Sequence, residues 1–166
     1  MKKVILSALA VFLFFSCKKT DITDPATLPG PEIVYNVNKT QLLELVNDVR
    51  ARGCTCGTTV MTPVAAVSWN DQLAKAAYDH SLDMKVNNYF NHNTPDGVTP
   101  GQRITAAGYT WKSYGENIAM GYATEQAVIN AWLASEGHCK NIMNGSFREM
   151  GLGKEGTYWT QVFGAR

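Results

Sequence analysis

The chain has 166 residues, a single-domain length with enough material for one hydrophobic core. Its 15 basic and 14 acidic residues leave a formal net charge of +1 with no long run of either sign, which excludes the basic stripe that nucleic-acid binding demands. Fourteen glycines and seven tyrosines suit a loop-rich, exported domain better than a long-helix protein, and nothing in the pattern calls for more than a monomer.

The N-terminus begins Met1-Lys2-Lys3, continues almost wholly apolar over residues 4–15, and reaches Ser16-Cys17. A basic start and a short apolar run ending at a small residue describe an export signal. The run is too short to cross a bilayer core, which takes about 20 residues. It resembles a bacterial lipoprotein signal over residues 1–17, with Cys17 as the lipidated first residue, although Phe14 and Phe15 stand where Leu and a small residue are usual. An ordinary cleaved signal is the alternative. Residues 18–37 hold Asp24-Pro25, Pro29-Gly30-Pro31 and Asn36 with little apolar periodicity, and read as a tether holding a folded domain, residues 38–166, off a membrane.

Asn38 is a natural N-cap for a helix over residues 39–50, where Leu42, Leu45, Val46 and Val49 recur at helical spacing and Gly53 closes the run. Residues 54–63 read as loop. Asn70-Asp71 starts a second helix over residues 72–87 with Leu73, Ala76, Ala77, His80 and Met84 on one side. That stripe is narrow and rich in alanine, so another element is expected to pack closely on it. Residues 91–101 form an irregular loop containing His92, and Thr99-Pro100 opens a short helix that Gly108 ends. A short buried strand is expected at residues 117–120, a helix capped by Thr124 over 125–135, and a closing hairpin of residues 149–154 and 157–163 around Glu155-Gly156. Helices before and between, with a closing antiparallel pair, imply an α+β domain whose sheet is covered by helices.

Cys54, Cys56 and Cys139 remain in the exported part, where one disulfide and one odd thiol are expected. A Cys54–Cys56 bond would close a very small, strained ring, so Cys139 is the expected partner of one of them. That bond would close a loop of about 80 residues, worth about 4 kcal/mol in the chain-entropy model. Cys-x-Cys with one distant Cys does not match a structural zinc spacing, which ranks a cysteine metal site low.

The chemistry-bearing groups are His92, Glu116, Ser135, Glu136 and His138. Imidazole titrates near neutral pH and ligates metals, and a neighbouring carboxylate can orient one ring nitrogen. His92 and His138 could hold zinc with Glu116 behind or beside them, yet a catalytic zinc site normally has three protein ligands and no His-Glu-x-x-His helix occurs. Ser135 beside His138 lacks any Gly-x-Ser-x-Gly surroundings, and the sulfur of Cys139 is expected to be consumed by the disulfide. His80, on the apolar face of its helix, reads as a hydrogen-bonded core histidine. Trp132 and Trp159 read as core, whereas Trp111 and Tyr114 precede a strand and are placed at a cleft rim.

His80-Ser81-x-Asp83-Met84, Asn91-His92, Asp96-Gly97, Arg103-Ile104, Gly108-Tyr109, Gly115-Glu116-Asn117-Ile118-Ala119-x-Gly121, Trp132-x-x-Ser135-x-Gly137-His138-x-x-Asn141-Ile142 and Tyr158-Trp159-Thr160-Gln161-x-Phe163 occur in unbroken order. Together they resemble the CAP superfamily, the SCP domain of cysteine-rich secretory proteins, antigen 5 and pathogenesis-related 1, in its bacterial branch. The resemblance covers about residues 39–166. It implies a three-layer α-β-α sandwich with a central, mainly antiparallel sheet and a cleft lined by two histidines and acids, matched here by His92, His138 and Glu116. The family's second acid falls at Ser135, so either Glu136 takes that role or the cleft lacks it. A cysteine before an early glycine matches Cys56-Gly57, which implies Cys56–Cys139 and leaves Cys54 free. The expected protein is a lipoprotein of the bacterial envelope, or an extracellular one, whose cleft binds a small ligand, lipid, cell-wall fragment or protein, with or without Zn2+. The alternative is a metal-dependent hydrolase, peptidase-like or cell-wall-directed, using His92, His138 and Glu116.

Overall fold

The structure, a computed structural model, describes residues 33–166. The signal, Cys17 and most of the expected tether lie outside the described residues. The first described element is a small hairpin, β1 (Ile33–Val34) and β2 (Val37–Asn38), turned through Tyr35 and Asn36 at positive φ. Val37 of this hairpin is buried.

Local side-chain caps set most helix starts. Asn38 accepts from the Gln41 N–H to open α1 (Lys39–Arg52), and Gly53 at φ 74° ends it with its N–H on the Val49 carbonyl. The segment expected as loop is instead a hairpin, β3 (Cys54–Cys56) and β4 (Thr59–Met61), turned at Gly57. Strands of three residues are too short to show a period of two, which is why periodicity missed them. β5 (Ser68–Trp69) leads into α2 (Asp71–Val86), where Asn70 accepts from the N–H groups of Gln72 and Leu73.

α3 (Pro100–Ala106) opens with a Thr99–Gln102 capping box and Pro100 in its first turn. β6 (Ser113–Met120) is eight residues long, twice the expected strand, because glycine and a carboxylate at 115 and 116 mask its β character. α4 (Glu125–Ala134) follows its Thr124 cap. α5 (Glu136–Ile142) was not expected as a helix: it has only seven residues, of which only Cys139 and Ile142 are buried. The closing pair is β7 (Glu149–Glu155) and β8 (Tyr158–Ala165), joined at Gly156.

The main sheet has the order β5-β7-β8-β6, with β5 parallel to β7 and the other neighbours antiparallel. Alternation along the strands divides the core in two. Met150, Leu152, Trp159 and Phe163 pack with Leu42, Val46, Val128, Trp132 and Ile142 of α1, α4 and α5. Val162 packs on the other face with Leu73, Ala76 and Ala77 of α2 and Ile104 of α3. The fold is the α+β three-layer sandwich that the resemblance implied.

The alanine stripe of α2 meets glycine. A Cβ on Gly151 would lie 2.0 Å from the Ala74 nitrogen, and one on Gly153 would lie 2.4 Å from the Tyr78 Cα. Helix backbone rests directly on strand backbone, so no side chain fits between them. Gly151→Ala is therefore expected to force α2 off the sheet at a cost of about 1–3 kcal/mol. A urea midpoint matching that of the parent would refute this close seating.

Candidate functional site

β6 is an edge strand, and it carries Glu116. The Glu116 side chain is only 3% exposed and both of its oxygens are engaged. Oε1 lies 2.8 Å from His92 Nδ1, and Oε2 accepts from Arg103 Nη2 at 2.7 Å. The capping box of α3 fixes the helix from which Arg103 reaches this carboxylate, and Arg103 Nη1 also donates to the Val98 carbonyl at 3.2 Å. Arg103 Nε is buried without a hydrogen-bond partner. A buried carboxylate needs such a counter-charge, since removing it from water unpaired costs several kcal/mol.

His92 comes from the loop after α2 and is half exposed. An ionised carboxylate only accepts, so its contact places a hydrogen on Nδ1 and leaves the Nε2 lone pair of the neutral ring for a ligand. The loop is held from below by His80, whose Nε2 lies 3.0 Å from the Asn91 carbonyl, so Nε2 is the protonated nitrogen. Burial lowers the pKa of His80 and keeps it neutral at pH 7. Tyr89 completes the anchor by donating to Asp83.

His138 stands on α5 and is tied to β6 through a reciprocal set of amides. Asn117 Nδ2 donates to the His138 carbonyl at 3.2 Å, and Asn141 Nδ2 donates to the Glu116 carbonyl at 3.1 Å. Asn141 also donates to Asn117 Oδ1 at 2.9 Å, and Asn117 to Gln161 Oε1 at 3.0 Å. The backbones of Glu116 and His138 are thus each held by an asparagine from the other element. His138 has a lowered pKa, first through burial and then through the proximity of His92. It lines a groove of about 330 Å³ with Ser135 and the exposed Phe90, Met120 and Tyr122.

Glu136 is not brought to this groove. It pairs with Lys140 at 2.6 Å, and its carboxylate faces Gly57 of the β3–β4 turn. Ser135 lines the groove in its place beside His138, and among the described residues the lining holds no acid: His92 and Glu116 lie outside it as well. Trp111 and Tyr114 stack edge to face at 4.6 Å and line a different groove, over α3, with Gln102 and Thr105. The positioning residues Arg103, Asn117 and Asn141 were visible only as motif letters. A carboxylate on a buried strand was the signal that a cation had to stand beside it.

Cys56 and Cys139 form a disulfide across 83 residues, the pairing that the resemblance implied, and Cys54 is free. Among the described residues, only Cys54, Cys56 and Cys139 bring three His, Cys, Asp or Glu ligand atoms within 4.8 Å of one another. His92, Glu116 and His138 do not form so tight a set.

A family model described as the cysteine-rich secretory protein family, CAP, matches residues 43–163. YkwD of Bacillus subtilis (strain 168), called an uncharacterized protein, is 43% identical over 96 residues, covering 57% of this chain and 37% of that protein. YlbC of the same organism, called an uncharacterized membrane protein, is 32% identical over 130 residues, covering 78% of this chain and 35% of that protein. The chain therefore spans little more than a third of the length of these curated relatives. A crystal structure of an extracellular protein containing a SCP domain from Bacillus anthracis str. Ames superposes with a TM-score of 0.69 at 34% identity, covering 77% of this chain and 40% of that one. The crystal structure of NaASP2 with Zn2+, at 17% identity and a TM-score of 0.52 over 76% of this chain and 78% of that one, shares the fold. With a family model spanning most of the described residues and a bacterial SCP domain of the same architecture, this chain belongs to the CAP family of cysteine-rich secretory proteins, in its bacterial branch.

Proposed function

We propose that this chain is an exported binding module whose cleft, between His92, Glu116 and His138, engages a small ligand, lipid, cell-wall fragment or protein without turning it over. One observation carries the reading: both Glu116 oxygens are committed, to His92 and to Arg103, so the carboxylate orients an imidazole instead of standing free as a general base. The groove beside His138, flanked by Phe90, Met120 and Tyr122, offers apolar surface next to a polar anchor. That combination is typical of a ligand site.

The leader over residues 1–17 supports export, and lipidation of Cys17 would place the domain at the membrane surface of the envelope. The similar Bacillus anthracis protein is described as extracellular, which fits this placement. Among the described residues no helix is long and apolar enough to cross a membrane.

Zinc is the accessory ligand we propose for this cleft. His92 Nε2 and a His138 ring nitrogen would be the donors, and Glu116 behind His92 is a carboxylate of the kind that orients metal-bound imidazoles. When bound, the ion would offer Lewis acidity and open coordination positions to a ligand. NaASP2, solved with Zn2+, is similar in fold, which supports testing for the ion here. The hydrolase alternative is not favoured, because two imidazoles leave the site one protein ligand short of the usual catalytic three.

Calorimetric zinc titration of the oxidised chain tests the site. The expected stoichiometry is one ion per chain, lost in both His92→Ala and His138→Ala and kept in Cys54→Ser, which separates the cleft from the sulfur cluster. Because the pKa of His138 is lowered from 6.5, the proton competes for this nitrogen only below that value. Affinity should therefore hold from pH 8 to pH 7 and collapse in mildly acidic buffer. No uptake at neutral pH would remove zinc from the proposal. Turnover of a cell-wall or peptide substrate that disappears in His138→Ala would overturn the binding-module reading itself.

A further inference from the structure

β3 presents residues 54 and 56 on one face and leaves Thr55 exposed on the other, as alternation along a strand requires. Both sulfurs therefore meet Cys139 of α5. Cys54 Sγ lies 3.6 Å from Cys139 Sγ and 3.8 Å from Cys56 Sγ, while Cys56 and Cys139 are bonded. A free thiol thus rests in contact with both ends of a disulfide. Cys56 and Cys139 are fully buried and Cys54 is half-buried, so a thiol reagent entering from solvent meets Cys54 first.

We propose that Cys54, Cys56 and Cys139 form an internal thiol–disulfide exchange site, in which Cys54 and Cys56 alternate on the shared partner Cys139. The step balances without any outside oxidant or reductant. Cys54 loses its proton to solvent, and its thiolate attacks Cys139 Sγ. The Cys54–Cys139 bond forms as Cys56–Cys139 breaks, and Cys56 leaves as a thiolate that takes up a proton. Attack on Cys56 Sγ instead would close the strained ring of Cys54, Thr55 and Cys56, which makes Cys139 the pivot. Because Cys54 is almost equidistant from the two sulfurs, it lies beside the bond, and side-chain rotation must bring it into line before attack. Burial pushes the Cys54 thiol up, and Arg52, two residues earlier, offsets this only in part, so attack needs alkaline pH. Exchange moves the tether of α5 by two residues along β3, directly beside His138, without opening the covalent link between the two halves of the domain.

The test uses the full chain carrying Cys17→Ser, so that three cysteines remain. The chain is held at pH 8.5 for increasing times, quenched in acid, alkylated and digested, and the label is located by fragment-ion sequencing. The expected result is one label per chain, on Cys54 at the start and shared with Cys56 later. The rate should rise about tenfold per pH unit below the thiol pKa, as the thiolate fraction does. A label that stays on Cys54 at every time and pH overturns the proposal, and one that appears on Cys139 overturns it too. In Cys56→Ser folded in a glutathione-disulfide buffer, which supplies the two-electron oxidant, a Cys54–Cys139 cross-link is expected with no free thiol. Two free thiols in a variant with the parent's circular dichroism spectrum would refute the exchange. Should that variant not fold, the labelling of the three-cysteine chain decides.

Discussion

Replacing Arg50 with methionine is expected to destabilise the domain by about 3–5 kcal/mol, the scale at which breaking a buried charged network unfolds marginal proteins. Arg50 is completely buried, and its guanidinium is met by backbone carbonyls: Nε donates to Ala65, Nη1 to Ile142 and Asn144, and Nη2 to Phe147. Methionine fills much of the same volume and removes the cost of burying a charge. It also leaves those acceptors without donors, each at about 1–3 kcal/mol, and the losses exceed the relief. The Ile142 carbonyl closes α5, so the cation also faces the negative end of the helix that carries His138. Burial pulls the Arg50 pKa down, yet a guanidinium remains charged at any working pH, so the loss should not vary between pH 5 and 8. Chemical denaturation of Arg50→Met and Arg50→Lys measures it. Lysine, with one compact ammonium in place of a planar fork, should recover only part of the loss. A shift below about 1 kcal/mol in the methionine variant would show that the carbonyls find other donors.

Cys139→Ser should cost about 4 kcal/mol, from the freedom that the unfolded chain regains when a loop across 83 residues is opened. Both sulfurs of the bond are buried in the main core, beside Leu42, Trp132 and Ile142, so the serine hydroxyl adds a desolvation cost to the entropic one. Cys54→Ser removes only a half-buried thiol and should stay within about 1 kcal/mol of the parent. Urea midpoints of the two variants, with and without reductant, separate the terms. Reductant should shift the parent toward the Cys139→Ser value and leave Cys139→Ser unmoved. Equal midpoints for the two serine variants would mean that the bond does not hold the domain together.

Local signals read cleanly where the interacting atoms lie within three residues of each other. Asn38, Asn70, Thr99 and Thr124 each cap the helix they were expected to cap, and Gly156 turns the closing hairpin. The alanine stripe of α2 announced a close neighbour, which proved to be the glycines of β7. Signals failed where elements were too short to repeat their period more than once or twice, as with the β3–β4 hairpin and α5. They also failed where a charge masked a buried strand, as with Glu116 on β6. Glu136 stood in the right stretch for a cleft acid, but the rotation of α5 turns it to Lys140 and the Gly57 turn.

From the residues alone came the family, the α+β class and the helix starts. Each of those rests on short-range hydrogen bonding, periodicity or an ordered set of motifs, all of which are written along the chain. Tertiary packing decided the rest: that Arg103 closes the second oxygen of Glu116, that Asn117 and Asn141 lock β6 to α5, that Arg50 gathers distant carbonyls, and that Cys54 lies against a bond it does not share. These partners are far apart in sequence, and a buried charge or sulfur accepts whichever group the folded layers deliver to it.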